Sequence, residues 1–197
     1  MVSTQRKLRR TALAAMTLAF AGVAFTGCTV TSPHTAASAA EQRDEINSGA
    51  DATLTRLYET SPQAKDLVAR AKGVLIFPSV LSASFVVGAE HGKGVLRVGG
   101  SNAGYFSTTG GSIGFQAGAQ SKAIVLLFMT DDALQKFRNS NGWTVGADAT
   151  VAVANIGANG NIDSNTVRQP IVGFVMNNAG LMAGVSIDGT KIAKLDL

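Results

Sequence analysis

The stretch "AKGVLIFPSV", Ala71 to Val80, marks the point where a helical pattern ends and a strand pattern begins. Before it, apolar residues recur every three or four positions. After Gly73, short runs rich in β-branched and aromatic residues are separated by Gly, Asn and Ser. Few helix-length segments separate these runs, so we expect a mostly antiparallel sheet. The sequence predicts an α+β fold, with two N-terminal helices packed on a strongly curved, mainly antiparallel, Gly-rich sheet or partial barrel.

Two helices are predicted upstream of Gly73. Residues 41–59 carry one apolar face, which consists of Ile46, Ala50, Leu54, Leu57 and Tyr58. A second helix is predicted to begin at Pro62, with Ser61 as its N-cap. We expect both helices to pack on the sheet.

Downstream of Gly73 the pattern is mostly that of strands. One short helix interrupts them at "TDDALQKFRN", with Thr130 as the predicted N-cap. "WTVGADATVAVANI" and "GLMAGVSID" are interpreted as strands, and "NNAG" and "DG" as hairpin turns. In "VGADATVAVA" and "SIGFQAGAQ" small and bulky residues alternate, which predicts a small-residue face that either the N-terminal helices or a ligand approaches closely.

The first 27 residues have the pattern of a secretory signal peptide. Four basic residues precede an uncharged apolar run, Thr11 to Phe25, which is shorter than the roughly 20 residues of a membrane-spanning helix. The run ends at "FTGC", Phe25 to Cys28, which resembles the bacterial lipobox, with Phe25 in place of the usual Leu. This resemblance implies that Cys28, the only cysteine, is acylated; the alternative is an ordinary cleaved signal peptide with an incidental cysteine.

The predicted organisation has three parts: a lipoprotein signal peptide (1–27), an acylated Cys28 with a flexible tether (28–40), and a single domain (41–197). Thr29 follows the cysteine where an Asp would favour the inner membrane. We therefore expect a bacterial envelope protein, lipid-anchored in the outer membrane and facing the periplasm or the cell surface.

The charge balance argues against nucleic acid as a partner. The chain has 17 basic and 13 acidic residues, and the predicted leader contains four of the basic ones. The remaining chain therefore has 13 of each sign, and its excess of positive charge belongs to the leader.

The mature chain resembles the SYLF family, a lipid-binding domain of bacterial envelope proteins and of eukaryotic proteins with SH3 or FYVE modules. The segments that carry the resemblance are "AKGVLIFPSV", "VVGAEHGKGVLRV", "GGSIGFQAGAQSKAIVLLFMT", "WTVGADATVAVA" and "AGLMAGVSIDG". It covers residues 41–197 and implies phospholipid binding, with actin association in yeast-type members. "GYFSTT" and "VANIGANGN" depart from the family pattern.

The residues offer little for catalysis. His91 has no second His or Cys within the predicted domain to complete a metal site, since His34 lies in the tether, and no nucleophile–base motif is present. We predict no enzyme activity, no metal and no cofactor. Asp148, a carboxylate among small residues, is interpreted either as a structural group that orders a turn or as part of a ligand cleft.

Four basic residues are the candidate lipid contacts, because they lie at element ends or in loops: Lys72, Lys93, Arg97 and Lys122. The sequence thus predicts a non-enzymatic envelope lipoprotein whose SYLF-like domain binds membrane phospholipid. The alternative is an interaction lipoprotein that binds an envelope protein partner and uses lipid only as an anchor.

Overall fold

The computed structural model describes residues 36–154 and 162–197. The predicted signal peptide and Cys28 lie outside them and stay predictions. The helices and strands are α1 (Ala36–Thr60), α2 (Pro62–Arg70), β1 (Gly73–Val98), β2 (Ser101–Phe128), α3 (Asp131–Asn139), β3 (Trp143–Thr144), β4 (Ala152–Val153), β5 (Ile171–Asn177), β6 (Gly180–Leu181) and β7 (Lys191–Leu195), with a 3₁₀ turn at Thr166–Arg168.

The three predicted helices are confirmed. α1 begins at Ala36, five residues before its predicted start, and buries Ile46, Ala50 and Leu57. α3 begins as expected, because the Thr130 hydroxyl accepts a hydrogen bond of 3.3 Å from the amide of Ala133. α2 begins at Pro62 with Ser61 at the N-cap position, as predicted, but the buried Ser61 hydroxyl has no hydrogen-bond partner among the described residues.

β1 and β2 form one long antiparallel hairpin. Its turn is Gly99-Gly100, whose φ angles of 58° and 81° lie in the region that glycine adopts without strain. The ribbon folds back on itself: a Cβ added to Gly94 would lie 2.3 Å from the carbonyl oxygen of Ile76. Glycine at this position therefore allows two distant parts of β1 to touch.

The remaining strands extend the hairpin into a curled half-barrel. β2 pairs with β5 through residues 123–128 and with β7 through residues 105–109. β3 lies outside β7 and β4 outside β5. The sheet is mostly antiparallel, as predicted, with a parallel pairing of β4 and β5.

Both faces of the central strands are buried. In β2, Ile124, Leu126 and Phe128 contribute to one hydrophobic cluster, and the alternate residues Ala123, Val125 and Leu127 to another. α3 covers the first face, whereas α1 and α2 cover the second. This run therefore lacks the alternating polar residues of a strand that has one buried and one solvent-exposed face.

Two predicted strands are wrong over most of their length. Among the described residues of "WTVGADATVAVANI", 143–154, only Trp143–Thr144 and Ala152–Val153 form strands, because the chain turns at Gly146, which has a φ of 87°. In "GLMAGVSID" the strand is limited to Gly180–Leu181. The alternation expected in "SIGFQAGAQ" falls on side chains outside the described ones.

His34–Leu197 is one compact unit. Both hydrophobic clusters come from residues within it. This segment therefore contains its own core and is suitable for study alone. Within the described residues, none of the helices combines the length and hydropathy needed to cross a membrane.

Candidate functional site

A groove runs between α1 and β1, with a cavity volume of about 650 Å³. We call it the α1–β1 groove. Its lining consists of Gln42, Glu45, Ile46, Gly49, Ala52, Thr53 and Arg56 from α1, and of Pro78, Ser79, Leu81, His91, Gly92 and Lys93 from β1.

The α1 wall is one face of the helix. Its residues follow the spacing of three and four positions that places side chains above one another. Gly49 lies at the closest approach, where an added Cβ would stand 3.0 Å from the Cβ of Pro78. Pro78 falls in a register shift of the β1–β2 ladder between Phe77 and Val80, a place that tolerates a residue without an amide hydrogen.

The β1 wall forms because the strand folds over. Gly92 lies so close to the earlier part of β1 that an added Cβ would stand 2.8 Å from the carbonyl oxygen of Ser79. Two segments far apart along β1 therefore face the same helix. Leu81, at the edge of the groove, is 62% exposed and is a large hydrophobic side chain left in solvent.

Polar contacts hold α1 against the hairpin. The ammonium of Lys93 donates to Gln42 Oε1 over 2.6 Å. The guanidinium of Arg97 donates to Asp51 Oδ1 over 2.6 Å and to the carbonyl oxygen of Asn47 over 3.3 Å. These contacts fix the helix without filling the groove.

Arg56 differs from these two basic residues. Its Nε is buried and has no hydrogen-bond partner among the described residues. A buried donor without a partner costs about 1–3 kcal/mol. An anion in the groove would accept the hydrogen bond that the Nε of Arg56 does not make within the protein.

Tyr58, on the same helix, is partly buried. Burial raises the pKa of its phenol above 10.0, and the charge of Arg97 lowers it to a smaller extent.

The four basic residues predicted to contact lipid lie in three separate places. Lys93 and Arg97 face α1. The ammonium of Lys72 lies 3.5 Å from a carboxylate oxygen of Asp131, at the start of α3.

The fourth, Lys122, forms an ion pair of 2.8 Å with Glu90, and both side chains are largely buried. Each of the four basic residues thus has a partner within the domain, and the structure does not gather them into one continuous basic surface.

Asp148 lies in an exposed turn rather than in a strand. One of its carboxylate oxygens accepts the amide hydrogen of Thr144 over 2.6 Å. The carboxylate therefore orders the turn that separates β3 from β4.

Sequence reasoning missed Arg56 and Leu81. A signal for Arg56 was present, since it continues the stripe of Ile46, Gly49 and Thr53 at helical spacing. The signal for Leu81 was weaker, because its exposure depends on how β1 folds over.

Comparison with known proteins points to a single family. Residues 109–196 match the family model described as "Ysc84: Las17-binding protein actin regulator". Proteins named "SH3 domain-containing YSC84-like protein 1" from Bos taurus and Homo sapiens are 31% identical over 134 residues, which is 63% of this chain. The Xenopus laevis protein of the same name is 29% identical over 131 residues.

The alignments cover only part of those relatives. They span 38% of the bovine protein, 37% of the human protein and 39% of the frog protein. The chain thus spans less than two-fifths of the length of the curated relatives it matches.

Proposed function

This chain belongs to the SYLF-domain (Ysc84) family, and from that premise we propose that its folded domain binds phospholipid at a membrane surface and catalyses no reaction. The SYLF family is known for actin-related and lipid-binding roles. The matching family is described as a Las17-binding actin regulator, and neither that description nor the name of the relatives mentions a reaction.

The observation that carries this proposal is the α1–β1 groove. Its floor is mostly apolar, with Ile46, Gly49 and Pro78, and it opens beside the exposed Leu81. A groove with an apolar floor and polar side chains along its walls suits a ligand that has both an apolar part and a charged group. Covering the Leu81 side chain with a membrane favours binding, by about 1.5 kcal/mol or more for full burial.

The groove also contains basic side chains suited to an anionic surface. Arg56 and Lys93 line it, and among the described lining residues the one carboxylate is that of Glu45. Basic residues near an anionic membrane are worth about 1 kcal/mol each. Because Lys93 already has a partner in Gln42, the attraction is modest and local.

The proposed anchor is an acylated Cys28, and the proposed location is the bacterial envelope, in the outer membrane. The support for this is the basic N-terminus, the short apolar run and the "TGC" ending. Cys28→Ala should reduce the mass by the acyl chains and move the protein out of the membrane fraction. Unchanged mass and detergent partitioning would contradict the anchor.

Flotation of residues 34–197 with vesicles tests the proposed function. We expect this domain to float with phosphatidylglycerol vesicles, to float less as salt rises, and to float least with phosphatidylcholine vesicles. Leu81→Gln should weaken flotation roughly tenfold, since about 1.4 kcal/mol corresponds to a factor of ten. Thr109→Gln, which changes an exposed residue of β2, is the matched control.

If the wild-type domain floats with neither vesicle, the lipid proposal fails. A domain that binds no lipid favours the alternative function, in which a protein partner is bound and lipid serves only as an anchor. Equal loss of flotation in Leu81→Gln and Thr109→Gln would exclude Leu81 as a membrane contact.

A further inference from the structure

From the shape and charge of the α1–β1 groove, we infer that it binds one acyl chain of an anionic amphiphile, with the anionic group on Arg56 and the chain running along α1 toward Leu81. This rests on the proposed function and names its ligand: a molecule with a single hydrocarbon chain that ends in a negative charge. A fatty acid and a lysophospholipid share this chemistry.

Arg56 is assigned to the anionic group for two reasons. Its side chain lines the groove, and its Nε has no hydrogen-bond partner among the described residues, so an anion bound there gives this donor the hydrogen bond it lacks. The planar guanidinium also matches the two oxygens of a carboxylate or a phosphate.

The opposite end of the groove is less suited to an anion. There the ammonium of Lys93 donates to Gln42, and the carboxylate of Glu45 lines the same wall. A ligand anion at that end would face a negative side chain and would compete for a lysine that already has a partner. The charge pattern along the groove therefore sets the ligand's direction.

The dimensions of the groove suit one extended hydrocarbon chain. From Gln42 to Arg56 the helix rises about 21 Å, at about 1.5 Å per residue. This is longer than half of a bilayer hydrocarbon core of about 30 Å, which is what one acyl chain spans. A volume of about 650 Å³ lies within the range of small-molecule sites.

The floor explains why the groove stays narrow. Gly49 allows the helix to approach Pro78 closely, and Ile46 is 5% exposed beneath the chain's path. Ala52 is exposed on the rim of the groove. A bulky residue there obstructs the path without entering the core.

The experiment measures binding of soluble amphiphiles to residues 34–197. The probes are palmitate and lysophosphatidylglycerol, each below its critical micelle concentration, with lysophosphatidylcholine as the zwitterionic comparison. We expect one ligand per domain for at least one anionic probe, and roughly tenfold weaker binding of the zwitterionic one. Which of the two anionic probes binds more tightly identifies the source of the ligand.

Two variants locate the ligand, each with a matched control. Arg56→Gln should weaken binding of the anionic probes roughly tenfold while leaving lysophosphatidylcholine unchanged. Arg70→Gln changes an exposed arginine of α2 and should have no effect. Ala52→Trp should abolish binding of all probes, whereas Thr55→Trp, on the same helix but outside the groove, should not.

The outcomes separate this inference from the function on which it rests. Flotation with vesicles but no binding of soluble amphiphile overturns the groove as a ligand site and leaves membrane binding intact. Binding of amphiphile without flotation supports the groove and overturns membrane-surface binding. Equal effects of Arg56→Gln and Arg70→Gln overturn the assignment of Arg56.

Discussion

Both faces of the central sheet are closed by hydrophobic clusters, but the contacts that the covering helices add to them differ. On the α3 face, aromatic rings fill the space: Phe137 lies 5.0 Å from Phe106, 4.8 Å from Phe128 and 5.5 Å from Trp143, measured between ring centroids. On the α1 face, hydrogen bonds such as those of Lys93 and Arg97 hold the helix at the border of an open groove. Aromatic packing thus dominates the α3 face, whereas α1 borders the groove that we propose as a ligand site.

The largest expected effect on stability comes from removing an aromatic ring from the α3 face. Phe137→Ala should lower the free energy of unfolding by about 3–5 kcal/mol, because it removes a side chain that is 1% exposed and leaves a cavity. Urea unfolding monitored by circular dichroism measures this loss. Gln135→Ala, an exposed change on the same helix, should cost less than about 0.5 kcal/mol. A small loss for Phe137→Ala would contradict the claim that aromatic packing on the α3 face stabilises the domain.

A second prediction concerns the fold-back of β1 that builds the groove. Gly94→Ala should destabilise the domain by about 1–3 kcal/mol, because its Cβ would meet the backbone of Ile76. Gly111→Ala is the control, since an added Cβ there has no atom within 4 Å. Equal melting temperatures for the two variants would mean that β1 does not fold back as closely as described.

The polar contacts of the α1 face should contribute less to the stability of the domain than Phe137 or Gly94 does. A double-mutant cycle of Arg97→Ala and Asp51→Ala should give a coupling of about 0.5–1 kcal/mol, since Asp51 is 68% exposed although Arg97 is only 17% exposed. A coupling well above this range would mean that the two faces are held with similar strength.

The smallest effect is a pH dependence on the α1 face. Burial raises the pKa of Tyr58 in the folded state, so the neutral phenol stabilises the fold. This contribution is complete below the unfolded pKa of about 10 and is lost as pH rises through the folded pKa. Tyr58→Phe should therefore reduce the loss of stability between neutral and strongly alkaline pH. An unchanged alkaline profile would contradict the burial of this phenol.

Much of the fold could be predicted because the patterns are local. The helical stripe of α1 and the cap at Thr130 depend on residues within one or two turns of each other. The segment 143–154 could not be predicted in the same way. Its alternation of small residues resembles a strand, but Gly146 and the side chain of Asp148 form a turn instead.

The candidate site was harder to predict because it joins distant parts of the chain. Gly49 meets Pro78, and Gly92 meets Ser79, through contacts that no sequence spacing reveals. The basic residues chosen from the sequence were selected by position at element ends. All four instead have partners on other parts of the folded chain. The acylation of Cys28 stays a prediction, because it lies outside the described residues.

Amide hydrogen exchange of residues 34–197, with and without lysophosphatidylglycerol, compares the two faces in one measurement. If the α1 face binds lipid, exchange slows in residues 42–56, 78–81 and 91–93, whereas α3, residues 131–139, is unchanged. Slower exchange confined to α3, or no change in either region at a saturating concentration of lipid, would contradict the account.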